Sequence, residues 1–157
     1  MREKYTYDTR KEAEVSMNST ISIGMQDFGK LIRSGAFYVD KTSFIKEWWE
    51  NQDDVTLVTR PRRFGKTLNL SMVDYFFSNQ HVDSGKLFEK LDIWKEEKYQ
   101  DLQGTFPVIF VSFAGIKAEN YGTARDGFIQ VLLDLYGKYY FLLQSDKLNE
   151  QEREYFT

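Results

Sequence analysis

The sequence of 157 residues predicts an α/β fold, and three observations predict it. Val55 to Thr59 is a short β-prone run between Asp54 and Pro61. Pro107 to Phe113 (PVIFVSF) is a second run, and its near-continuous apolar character predicts burial on both faces. Stretches with helical periodicity precede, separate and follow them, and strand, loop, helix, strand, helix is the α/β order. The length suits one domain with a real core, and the 41% hydrophobic content is that of a globular chain. An aromatic share of 17% makes large rings the main core material.

The elements follow in order. Met1 to about Thr20 is polar and weakly periodic, which predicts a disordered leader (1–20) before a folded region at 21–157. Phe28, Leu31 and Ile32 stand at helical spacing within Gln26 to Ser34, and Gly35 is placed to end that helix. Asp40 or Thr42 can cap a second helix through Phe44, Ile45, Trp48 and Trp49. After the Val55–Thr59 run, Lys66 to about Ser78 reads as a helix with Leu68, Met72, Val73 and Phe76 on one stripe. A polar linker with short helical turns carries Leu87, Phe88, Leu91, Ile93 and Trp94. Beyond PVIFVSF, the spacing of Phe128, Val131, Leu132, Leu135, Tyr139 and Leu142 predicts a long helix over Tyr121 to Leu143. A last helix begins near Leu148, with Asn149 as a possible cap.

Composition excludes several chemistries. Cysteine is absent, which removes disulfides, thiolate metal sites and cysteine nucleophiles. His81 is the only histidine, so there is no histidine metal cluster, and its Gln-His-Val setting predicts a surface turn residue. A net charge of −3 provides no general attraction to nucleic acid or to anionic membranes, so any phosphate affinity must be local. The charged first 20 residues lack the apolar segment of a secretory signal, and no apolar run approaches the length of a membrane span. A cytoplasmic chain is expected.

Such a local arrangement is present at Arg60 to Thr67, RPRRFGKT. A polyphosphate needs many donors at once, and successive backbone N–H groups running into a helix N-terminus supply them together with a favourable dipole. Glycine lets the backbone approach without a Cβ, lysine neutralises terminal phosphates, and a following hydroxyl holds magnesium. Gly65, Lys66 and Thr67 have this order, after a β-prone run and at a helix start. The usual first glycine is replaced by Arg60, which resists positive φ, and Pro61 pushes Arg60 toward extended geometry. Arg60, Arg62 and Arg63 read either as a solvated basic turn or as guanidinium contacts to phosphate; a nucleic-acid patch is a third reading. Candidate nucleotide-binding residues are Arg60, Pro61, Arg62, Arg63, Phe64, Gly65, Lys66, Thr67 and Leu68, with Thr67 also the candidate metal ligand. No catalytic residue is assigned.

The sequence resembles the AAA-ATPase-like family of bacterial proteins, many of which carry a C-terminal PD-(D/E)XK nuclease-like domain. The resemblance rests on IGMQDFGKLIRSGAFYVDKT (Ile23 to Thr42), TRPRRFGKTLNLSM (Thr59 to Met72), PVIFVSF, and YYFLLQSDKLNEQEREYF (Tyr139 to Phe156). It implies an ASCE-type, three-layer P-loop NTPase fold that binds ATP and Mg2+ through a variant Walker A loop tolerant of arginine at Arg60. It also implies a nuclease-like domain as a possible partner in a longer protein, and a Walker B strand with its acids beyond Thr157. Asp134 follows an apolar run but keeps helical spacing, and Asp74 lies in the helix after the loop, so neither replaces the Walker B acid. Asp40 and Lys41 of the YVDKT block can approach the nucleotide, although capping explains Asp40 as well. The expectation is a partial fold, truncated before Walker B, with unpaired strand edges, weak nucleotide binding and negligible hydrolysis. A non-catalytic module binding nucleic acid or a protein partner is the alternative.

Overall fold

A computed structural model describes residues 24–156, and the expected disordered leader at 1–20 lies outside them. The chain divides into two compact units, with the boundary between Val108 and Ile109. The first contains α1 (Phe28–Arg33), α2 (Ser43–Asn51), α3 (Lys66–Phe77), 3₁₀ stretches at Asn79–Leu87 and Asp92–Lys95, and a single turn, α4 (Glu97–Gln100). The second contains α5 (Tyr121–Lys138), a 3₁₀ turn at Tyr140–Gln144, and α6 (Glu150–Phe156).

Local chemistry explains where the helices start. Asp27 caps α1 by accepting the Lys30 N–H at 2.6 Å, and Gly35 follows the helix at φ 66°. Thr42 occupies the cap position of α2, but no side-chain cap bond forms there. Its hydroxyl instead donates to Asp40 Oδ1 and accepts from the Ile93 N–H. Asn120 and Thr123 form a reciprocal capping box on α5, and Asn149 and Glu152 form another on α6.

The first unit is built on aromatic rings. Phe28, Ile45, Met72, Phe76, Phe77, Leu87, Phe88, Ile93 and Tyr99 make one buried cluster. Phe88 stacks on Phe28 with centroids 5.0 Å apart and meets Phe76 edge-on at 5.1 Å. Each fully buried ring contributes roughly 1.5–3 kcal/mol, and each such pairing about 0.5–1.5 kcal/mol more. α3 is the central element and is locked to α1. The buried Phe28 N–H donates to Ser71 Oγ at 3.0 Å, and the Tyr75 hydroxyl donates to the Asp27 carboxylate. Gly29 of α1 faces Tyr75 so closely that an added Cβ would lie 2.6 Å from the ring.

The predicted α/β, three-layer P-loop NTPase fold is not what forms. Among the described residues the regular structure is helical, and neither β-prone run becomes a strand. The pairing that exists is a single parallel bridge between Ser78 and Phe106. Val55 is 88% exposed, Leu57 82% and Ile109 67%, so burial on both faces, expected of PVIFVSF, fails as well. The reason is that a helix satisfies its own backbone, whereas an extended run needs a second run to close a ladder. The described residues supply no such pair.

In the second unit, α5 ends at Lys138 rather than continuing to Leu143. No α5 residue is buried, and Leu132, Leu133 and Tyr136 are largely exposed. Local packing comes from Phe113 against Phe128, with centroids 5.0 Å apart, and from Ile116 lying over Gly127.

Candidate functional site

The strongest sequence feature, RPRRFGKT, forms a loop that opens α3. Gly65 is the residue before the helix and sits in the left-handed region at φ 73°, ψ 20°. That conformation is accessible to glycine without a Cβ penalty. Lys66 begins the helix and folds back over the loop. Its Nζ donates to the carbonyl of Arg60 at 2.5 Å and to that of Pro61 at 2.9 Å. The loop is thus a ring closed on a lysine ammonium, with the first N–H groups of α3 at its base.

The anticipated difficulty at Arg60 falls elsewhere. Arg60 does not have positive φ; its guanidinium donates to the Thr59 carbonyl at 3.2 Å. Arg63 takes the left-handed conformation instead, at φ 70°. No sequence signal marks it, because arginine has no preference for that region. Pro61, Arg62, Arg63 and Phe64 are exposed, Thr67 and Leu68 are half-buried in the first turn of α3, and Leu68 packs against the core.

The electrostatics of the loop are one-sided. Among the described residues, no carboxylate lies within ion-pair distance of Lys41, Arg60, Arg62, Arg63 or Lys66. In a chain whose acids outnumber its lysines and arginines by 24 to 21, that concentration of cations at the positive end of a helix dipole favours an anion. Charge, donors and the open glycine together fit a polyphosphate. For a cation the loop offers the Thr67 hydroxyl, with other oxygens to come from phosphate and water. No group of three or more metal-binding side chains exists among the described residues.

The acids weighed in the sequence have neighbours of their own. Asp74 stands seven residues beyond Thr67, about 10 Å along the axis at 1.5 Å per residue. Its Oδ2 lies 3.4 Å from His81 Nε2, and its Oδ1 is buried without a hydrogen-bond partner among the described residues. His81 is not the surface turn residue expected; it is half-buried and stacked on Tyr75 with centroids 4.3 Å apart. Asp134 is exposed on α5 and accepts from Gln130 Nε2 at 2.7 Å. Asp40 is occupied near the start of α2, where it bonds Thr42 and the Asp92 N–H.

A family described as predicted AAA-ATPases matches residues 22–156. An uncharacterized protein in the vnfD 5' region of Azotobacter chroococcum mcd 1 is 36% identical over 134 residues, which covers 83% of this chain. The chain spans 21% of the length of that relative. No solved structure matches. No helix among the described residues is long and apolar enough to cross a membrane.

Proposed function

Since the chain belongs to the family of predicted AAA-ATPases, we propose that its Arg60–Thr67 loop binds the phosphates of ATP together with Mg2+. The observation that carries this reading is the ring closed by Lys66 on the Arg60 and Pro61 carbonyls, directly after a left-handed Gly65. An ammonium held there exchanges carbonyl oxygens for phosphate oxygens when a nucleotide enters, and the N–H groups from Arg63 to Thr67 supply further donors. Thr67 would hold a magnesium ion through its hydroxyl, and the ion would neutralise phosphate charge. Phe64 and Leu68 flank the cradle without a charge of their own. The loop begins a helix that is anchored at Ser71 and Tyr75, so its downstream end is rigid while the upstream arginines remain exposed.

Hydrolysis is a separate matter. A reacting water needs a group to orient it, and the nearest acid along α3, Asp74, is turned into the core and engaged with His81. This chain by itself therefore binds nucleotide and turns it over negligibly. Equilibrium binding of radiolabelled ATP in magnesium checks the reading. Lys66→Ala should weaken binding by about tenfold to a hundredfold, the loss expected for one charge-assisted contact. Equal affinity of the parent and variant chains would sink it, and salt-sensitive DNA binding indifferent to Lys66 would favour an interaction module instead.

A further inference from the structure

Lys41 lies against the loop from a different part of the first unit. A Cβ built on Gly65 would come 3.6 Å from Lys41 Nζ and within 4 Å of nothing else outside its chain neighbours. The ammonium is therefore poised over the open face of the glycine that leads into α3. It is not drawn there by a counter-charge, because no described carboxylate pairs with it. Placing a fifth cation beside Arg60, Arg62, Arg63 and Lys66 costs repulsion that a bound anion would remove.

The backbone on either side of Lys41 is fixed by hydrogen bonds. Asp40 Oδ1 accepts from the Thr42 N–H at 2.8 Å and from the Thr42 hydroxyl at 2.7 Å. Asp40 Oδ2 accepts from the Asp92 N–H at 2.7 Å, and Thr42 Oγ1 accepts from the buried Ile93 N–H at 3.1 Å. On the other side, the Tyr38 hydroxyl donates to Met72 Sδ at 3.3 Å on α3 itself. Burial pushes that hydroxyl up to about 12, partly offset by a backbone hydrogen bond from Lys41. The segment is thus pinned to α3 and to the Asp92–Lys95 turn, and Lys41, exposed between the two anchors, is the residue left to face the loop.

We propose that Lys41 is a second phosphate-contacting lysine, delivered over Gly65 from outside the loop, and that it gives the site preference for a triphosphate over a diphosphate. The inference rests on reading the loop as a nucleotide site. Asp40 and Thr42 are positioning residues for it.

The test is equilibrium dialysis of the full chain with radiolabelled MgATP and MgADP, alongside melting temperatures, for the parent, Lys41→Met, Lys41→Arg and Lys66→Met. Lys41→Met keeps the aliphatic stem and removes the charge. It should weaken MgATP binding by about tenfold or more and MgADP binding by less, at an unchanged melting temperature. Lys41→Arg should recover most of the loss. If Lys41→Met binds both nucleotides like the parent while Lys66→Met does not, the inference falls and the loop reading stands. If Lys66→Met also binds like the parent, or the parent binds neither nucleotide, the loop reading falls and this inference with it. Equal weakening for both nucleotides would overturn the preference for a triphosphate. Should Lys41→Met melt lower, Lys41→Arg decides: recovery of stability without recovery of MgATP binding overturns the contact.

Discussion

Arg63 shows how one residue can carry a conformation that its side chain does not favour. Held at φ 70°, it bears a left-handed backbone that costs a non-glycine residue about 1–2 kcal/mol. The ring closed by Lys66 constrains this stretch of backbone from both ends. Arg63→Gly should therefore raise stability or leave it unchanged, by up to about 1 kcal/mol in denaturant titration. A clear loss would mean that the guanidinium makes a contact worth more than the strain. Gly65 is the converse case. Its glycine was readable from the motif, and its φ of 73° supplies the reason.

At the scale of elements, the contact between α1 and α3 governs the site, because it fixes the direction in which the loop points. Its tightest point is Gly29 against Tyr75. Gly29→Ala improves helix propensity by roughly 1 kcal/mol in isolation. Here the added methyl meets the Tyr75 ring at 2.6 Å, and that ring is also stacked on His81 and bonded to Asp27. Displacing it should cost about 1–3 kcal/mol, enough to outweigh the propensity gain. Thermal unfolding of Gly29→Ala gives the sign: a higher melting temperature than the parent would contradict the packing described. Two helix ends were legible, since Gly35 and Asn149 mark them as caps do, whereas the Asp27 cap of α1 emerged only in the structure. The β-prone runs were legible only as propensity. Val55 to Thr59 and PVIFVSF carry apolar and β-branched residues, but those residues describe a surface that fits a sheet, and a sheet needs neighbours.

For the first unit as a whole, stability should depend on pH through a cluster joining α2 to α4. Glu50 accepts from the Tyr99 hydroxyl at 2.6 Å and from Lys98 Nζ at 3.0 Å. Those two contacts, the hydroxyl first, hold its carboxyl below the ordinary value of 4.5. A depressed carboxylate contributes stability that is complete above its unfolded-state value and is lost as pH falls through the folded-state value. Glu50→Gln should therefore melt below the parent at neutral pH, and the gap should close on acidification below about pH 4. A gap that persists unchanged into acid would show that shape, rather than charge, holds the contact. The same cluster raises the Tyr99 hydroxyl, through burial first and the Glu50 hydrogen bond second.

What the sequence by itself determined was local: the end of α1 at Gly35, the start of α6 at Asn149, the apolar stripes of α1 to α3, and the order glycine, lysine, threonine at the start of α3. Each depends on residues a few positions apart, and neighbouring residues meet whatever the rest of the chain does. The tertiary structure decided what depends on distant partners. It left two β-prone runs without a ladder, turned His81 inward against Tyr75, moved the strained backbone to Arg63, and set Lys41 over Gly65. Periodicity and spacing do not encode those pairings, because each joins positions that only the packing of the chain can bring together.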